Sequence, residues 1–274
     1  MKQFSIEDMS KFINYLMVLI VISITIDYIL LEVGLLVYQP MYNAESYSYF
    51  TRPFGLFGQP SVNSSILCFL YLVKRYLSTT YYNNRSDKKW FLLVLLGVIL
   101  QGSGSGFVAF AIMLISIVIP SFRQIKYIVL ILFICIGYYL VISEVIDKIS
   151  LSYLIALYDY GIFVWHSYID RVTSVVDVLF GLPENINDIA IDYGPLFYIS
   201  HMGILLFIGF TVSLGILYFR VKNRFFRSAV ALIAISNLHY PVMFYIVMHV
   251  FWPLMFWVAE NRFPSHTSKK LSII

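Results

Sequence analysis

The stretch WFLLVLLGVILQGSGSGFVAFAIMLISIVI, residues 90–119, decides how this chain is to be read. Its thirty residues carry no charge. As one helix they would measure roughly 45 Å, well beyond the roughly 30 Å of a bilayer's hydrocarbon core. The glycines at 102, 104 and 106 fall in the middle, where the backbone needs freedom if it is to turn. The spacing therefore predicts two half-length helices in a tight hairpin. Such helices are tolerated at membrane depth where protein or a wet cavity satisfies the backbone groups at their break, which points to a site near Ser103 and Ser105.

The same pattern recurs outward along the chain. Residues Ser228–Val258 form a second apolar segment of similar length, interrupted near Asn237–Pro241. Single spans are predicted over Phe12–Tyr38, Val62–Leu77, Tyr127–Val145 and Leu196–Phe219. The first is read as a retained anchor, since Glu7 and Asp8 flank it and no small-residue cleavage pattern follows. With two hairpins the chain makes about eight crossings and both termini face the cytoplasm. Lys and Arg resist translocation, and this topology leaves only Arg52, Lys148 and Arg171 outside, with the other sixteen of nineteen inside. Reading 90–119 as a single span leaves nine inside and ten outside. The hairpin is the better account.

Composition agrees. The chain has 274 residues, 60% hydrophobic and 12% charged, with a mean hydropathy of +0.80. A soluble domain carries about 25% charged residues, so this chain lacks the charge to cover a water-facing surface. Soluble enzymes, nucleic-acid binders and disordered tails are excluded. The expectation is an all-α polytopic integral membrane protein, one membrane domain over 1–274, with a large outer loop at 143–195. That loop is rich in acidic side chains and in rings, among them Tyr158, Tyr160 and Trp165. A loop of this length is more often functional than merely connecting.

Familiar enzyme signatures are absent. The glycines at 102–106 follow no strand and precede no Lys-Ser/Thr, so they form no phosphate loop. Neither Ser103 nor Ser105 has the glycine frame of a serine nucleophile, and a close-packed helical turn is the plainer reading. The five histidines show no paired spacing on one helix face, so no metal site is expected. Cys68 and Cys135 lie in apolar runs and read as core. Asp27 and Glu32, in the outer half of the first span, are read as proton-coupling groups or, more plainly, as an interfacial cap or bundle-facing partner.

The outer arginines break the charge rule. Arg52 is followed by Pro53 and then by two glycines, and Arg171 lies in the large loop. A guanidinium suits bidentate contact with phosphate. The alternative for either one alone is a headgroup anchor.

The run Arg52-Pro-Phe-Gly-Leu-Phe-Gly-Gln-Pro60-Ser-Val-Asn63 resembles the Arg-x-x-Gly-Leu-Phe-x-x-Pro-Asn segment of the Wzy family of O-antigen and capsular polysaccharide polymerases and of the related O-antigen ligases. Gly102-Ser-Gly-Ser-Gly-Phe-Val-Ala109 is similar to their short Ser-rich turn between helices, although it has no arginine. Arg171, with Phe180-Gly181-Leu-Pro183, and the segment from Asp192 to Ile204 resemble parts of their large outer loop and its end. The resemblance covers roughly residues 49–219 and keeps motif order.

The resemblance implies an enzyme: a lipid-carrier-dependent glycosyltransferase at the outer face of the bacterial inner membrane. It would join oligosaccharide repeat units carried on undecaprenyl diphosphate. Its partners would be the lipid-linked oligosaccharide, membrane lipids, a chain-length regulator and a flippase. It would use no cofactor beyond that substrate carrier. A sugar hydroxyl would attack the anomeric carbon of the growing chain as the lipid diphosphate leaves. Arg52 and Arg171 would hold the diphosphate, and Asp192, His166 or His239 would act as base. Tyr158, Tyr160, Trp165 and Tyr193 would line the sugar path. The alternatives are an O-antigen ligase, in which His stands where this chain has Asp192, a polysaccharide flippase or other transporter, and a structural membrane subunit.

Overall fold

The computed structural model describes residues 6–35, 53–82, 87–118, 159, 162–163, 165–182 and 194–239. Among them every regular element is helical. The helices are α1 (Ile6–Glu32), α2 (Pro60–Tyr81), α3 (Lys88–Gln101), α4 (Gly104–Val118), α5 (Val175–Phe180), α6 (Gly194–Arg220) and α7 (Arg224–His239).

Two of them, α1 and α6, are long and apolar enough to cross a membrane. A helix of that composition at the centre of a soluble protein would be mostly buried. Here only 33% of the apolar stretch of α1 and 17% of that of α6 is covered. Tyr15, Leu19 and Ile29 on α1, and Leu206 and Val212 on α6, are exposed. Polar groups lie inside, within an apolar core: Asn63, Ser64, Gln101 and Ser200 are fully buried. Apolar outside and polar inside is the distribution that a hydrocarbon solvent favours, because a polar group facing lipid has no partner.

At the centre stands α2, packed against α1, α3, α4 and α7. Sixteen of its twenty-two residues are buried, although it carries Asn63, three buried serines and Lys74. Its neighbours come close at glycines. A Cβ at Gly97 on α3 would stand 2.6 Å from Leu67, and one at Gly106 on α4 would stand 2.7 Å from Ser64. Small residues at such crossings let backbones approach within reach of each other's polar groups.

The break at 102–106 is a hairpin. Along α3 the chain runs antiparallel to α2: Lys74 Nζ lies 4.9 Å from the Trp90 ring, Phe91 meets Tyr71 edge-on at 6.1 Å, and Gln101 reaches Ser64. It then returns along α4, whose Phe110 ring is 5.8 Å from Phe91. One continuous helix would hold those two rings about 28 Å apart. Gly102 makes the turn in the left-handed conformation, φ +54, and its N–H closes the end of α3 on Val98 O and Ile99 O. The two arms have 14 and 15 residues, about 21 and 22 Å of helix, so each is shorter than the hydrocarbon core.

Of the large loop expected at 143–195, residues 159, 162–163, 165–182 and 194–195 are described. Where described, it contains a helical turn at 165–169 and then α5, which packs on α6. Ser174 and Asp177 form a reciprocal cap at the start of α5. The helix α6 is itself broken: Gly203 has φ +77 and ψ 163, outside helical space. The cause is the carbonyl of Leu179 on α5, which lies 2.1 Å from where a Cβ at Gly203 would stand. Leu182 N–H then donates to Ser200 O at 2.7 Å and fastens the segment.

Candidate functional site

The first turn of α2 is held by one asparagine. Asn63 Nδ2 donates to Phe54 O and, at 2.8 Å, to Gln59 O, while its Oδ1 accepts from Phe57 N at 3.2 Å. These bonds shape the turn Gly55–Gly58, closed by Gly58 N to Gly55 O at 3.2 Å. Asp27 on α1 completes the fastening, its Oδ2 accepting from Gly55 N at 2.8 Å. Of the readings of Asp27, the bundle-facing partner is the one with a contact behind it.

On another face of α2 the serines meet the hairpin. Ser61 and Ser103 share a hydrogen bond at 2.7 Å, and Ser103 is 3.2 Å from Ser105. Ser64 Oγ donates to Gln101 Oε1 at 2.8 Å. Gln101 is completely buried, and its Nε2 has no hydrogen-bond partner among the described residues. The N-terminus of α2 and the N-terminus of α4 therefore converge on a cluster of hydroxyls and one amide.

A third face of α2 reaches α7. Ser236 Oγ donates to Ser65 Oγ at 3.1 Å, and next along α7 Asn237 Oδ1 accepts from Tyr198 Oη of α6. Asn237 Nδ2 returns to its own helix at Ile233 O, 2.7 Å. A seam of polar side chains thus joins the α2 end to α6, on which α5 is docked.

In that segment Asp177 is the organising group. Its carboxylate accepts from the hydroxyl of Thr173 at 2.8 Å and from the backbone N–H of Thr173 and of Ser174 at 2.9 Å. The Thr173 hydroxyl first, then the backbone donors, hold the carboxyl below the ordinary aspartate range. Tyr168 is buried, and its hydroxyl meets no partner among the described residues. Burial raises the phenol's pKa, and the Asp177 charge adds to the rise.

The residues singled out from sequence fall unevenly on this frame. Trp165 is 46% exposed and packs edge-on against Tyr168 at 6.4 Å. His166 is exposed, its carbonyl accepting from Asp170 N at 2.9 Å. Arg171 is exposed in the following turn, its backbone N–H on Tyr168 O at 3.1 Å. His239 is the last residue of α7. Arg52, Tyr158, Tyr160, Asp192 and Tyr193 lie outside the described residues. Trp165, His166 and Arg171 thus share one short segment, while the cluster at Ser61 and Ser103 belongs to α2, α3 and α4.

Sequence reasoning marks Ser103 and Ser105 but assigns no role to Asn63, Gln101, Tyr198 or Asn237. The signal for two of them is the polar run Ser61-Val-Asn-Ser-Ser65 inside an apolar helix, with a lone Gln closing the apolar run that follows. Among the described residues no group of three or more His, Cys, Asp or Glu could hold a metal ion. Comparison with family models, with curated proteins and with solved structures finds no match to this chain.

Proposed function

We propose that this chain is a multi-pass protein of the bacterial inner membrane that polymerises oligosaccharide repeat units carried on undecaprenyl diphosphate. One observation carries the reading: the segments whose sequence resembles the polymerase family pair off in space. The turn and helix end of 52–63 meet the Gly-Ser break through Ser61 and Ser103. The Phe180-Gly181-Leu182 stretch meets the start of α6 through Leu182 and Ser200. Ser236 and Asn237 then link the two pairs through Ser65 and Tyr198. A site built from these segments needs them to adjoin in this way.

In this mechanism Arg52 and Arg171 neutralise the departing diphosphate, and Asp192 takes the proton of the attacking sugar hydroxyl, with His166 and His239 as the other candidate bases. Trp165, beside the Arg171 turn, offers a ring face to a sugar. The reaction forms one glycosidic bond as the anomeric carbon–phosphate bond breaks, and its energy comes from the lipid-linked donor.

The test is a deletion strain. Loss of the gene is expected to leave single repeat units on the outer face, still linked to carrier lipid, and the wild-type chain restores polymer. Long polymer accumulating on the carrier without transfer would identify a ligase instead, and units trapped on the inner face would identify a flippase. Arg52→Lys and Arg171→Lys, at normal protein level, should each cut polymer formation by about 10²–10³, the loss expected when positioned charge stabilisation is removed. Either variant making polymer of normal length and amount reduces that arginine to a headgroup anchor.

A further inference from the structure

We infer that Lys74 and Lys89, gathered at the ring of Trp90 where α2 passes the start of α3, bind the phosphate of an anionic phospholipid headgroup. Lys74 is the starting observation. It is 5% exposed, on a helix packed against four others. Its ammonium carries three N–H donors and no acceptor. The ion pairs among the described residues join Lys11 to Glu7 and Arg75 to Asp87, and neither includes it. Its ring contact is with Trp90, whose centre lies 4.9 Å from Nζ. A ring face attracts a cation, but a buried charge also needs hydrogen-bonding partners. Lys74 makes no hydrogen bond among the described residues.

The surroundings are short of negative charge. Lys89 Nζ lies 5.3 Å from the centre of the same indole. The helices α2, α3, α4 and α7 contain no acidic residue. Asp87, at the cap of α3, is buried, and its Oδ2 is already held by Arg75 at 3.3 Å. Arg75 in turn shares the Phe225 ring with Arg224, at 5.6 and 4.5 Å. Basic side chains at these ends of α2, α3 and α7 therefore outnumber carboxylates, and their field favours an anion. A zwitterionic headgroup brings its own cation into that field; an anionic one does not.

The position suits a lipid. Trp90 is half-exposed and Lys89 exposed, so the ring lies open on one side. Lys89, Leu92 and Leu96 fall at i, i+3 and i+7, one face of α3, and both leucines are exposed. A headgroup at Lys89 thus continues into acyl chains along Leu92 and Leu96. Indoles favour the boundary between water and hydrocarbon, and basic pockets between spanning helices hold phospholipid headgroups. The stem of Lys74 is buried in the bundle while its nitrogen reaches the half-exposed ring, the posture of a lysine that snorkels. This site rests on the membrane reading of α1 and α6 and stands without polymerisation.

The test is native mass spectrometry of the full chain in detergent, with phosphatidylglycerol and phosphatidylcholine of different mass present in equal amounts. The wild type is expected to retain phosphatidylglycerol in preference. Lys74→Gln with Lys89→Gln should weaken its apparent affinity by at least about tenfold, the worth of one charge-assisted hydrogen bond. Lys11→Gln with Lys222→Gln removes the same charge from exposed lysines elsewhere and should leave the affinity within about twofold. Lys89→Gln alone, at an exposed position the fold tolerates, should weaken retention as well, and Lys74→Arg, which keeps the charge, should preserve it better than Lys74→Gln. Equal retention of the two lipids by the wild type, or equal losses in the two double variants, overturns the site. Glycerol phosphate separates the sources. Failure to displace the lipid at equal concentration supports a lipid-borne phosphate, whereas displacement assigns the lysines to a free phosphate and overturns the lipid site.

Discussion

Gly203 occupies a backbone conformation, φ +77 and ψ 163, that other residues adopt only under strain, and the carbonyl of Leu179 fills the place of its side chain. Gly203→Ala is therefore expected to cost about 1–3 kcal/mol from backbone strain alone, with the clash in addition. The control is Gly209→Ala, in the same helix with nothing within 4 Å of its Cβ position; it should be neutral or stabilising by up to about 1 kcal/mol. Hydrogen exchange at the Leu182 amide measures the difference, since that amide bonds to Ser200 O only while the segment is docked. Equal protection in the two variants would mean that the break in α6 is incidental. A second residue-scale test concerns Asp27. Asp27→Asn keeps an acceptor for Gly55 N–H and should leave stability little changed, whereas Asp27→Ala strands that donor at a cost of about 1–3 kcal/mol. If Asp27→Asn abolishes function in a well-folded protein, the carboxylate has a role beyond holding the turn.

At the scale of elements, α5 is secured by a cap that titrates. Asp177 holds its proton less tightly in the folded chain than in the unfolded one, because Thr173 and Ser174 donate to its ionised form. The stabilisation is then full above the unfolded carboxyl value of about 3.9 and is lost as pH falls through the lower folded value. Docking of α5 on α6 should not change across the neutral range and should weaken only in strong acid. The exchange rate of the Ser174 amide, which donates to Asp177 at 2.9 Å, reports it, and a transition at neutral pH would point to another group. Two breaks, at 102–106 and at Gly203, show what sequence carries and what it does not. A reversal at 102–106 is readable because five Gly and Ser residues interrupt an apolar run too long for one crossing. The break in α6 is not, since Gly203, Gly209 and Gly215 recur at intervals of six in one apolar run. Only the approach of α5, a tertiary event, selects the first of them. For the candidate site the division is similar. Ser103 and Ser105 are marked by lying in the turn, whereas Gln101 and Asn237 find partners, Ser64 and Tyr198, in other parts of the chain. A polar residue in an apolar helix signals that it faces protein, but its partner is chosen by the fold.

At the scale of the whole molecule, inverted polarity and charge placement address the same question independently. Aliphatics on α1 and α6 are exposed while α2 buries Asn63, Ser64 and Ser65 within an apolar core, and the basic residues distribute sixteen to three only if the chain reverses at Gly102–Ser103. That reversal, seen in the approach of the Phe110 ring to Phe91, determines on which side every later segment lies. If the chain turns back there, Arg123–Lys126 shares a side with Lys88 and Lys89, and 143–195 lies opposite. Without the turn, both assignments exchange. Single cysteines at Asn187 and Gln124, in a background lacking Cys68 and Cys135, separate the two cases in intact cells. An impermeant maleimide is expected to modify the Asn187 probe from outside and to reach the Gln124 probe only after permeabilisation. Labelling at 124 from outside would place the basic residues Arg220–Arg227 outside as well, against the resistance of Lys and Arg to translocation. It would also put the segment bearing Trp165, His166 and Arg171 on the cytoplasmic side, out of reach of an externally presented lipid-linked sugar. The hairpin and the proposed chemistry therefore stand or fall on one labelling pattern, and the fold of α2, α3 and α4 favours the first outcome.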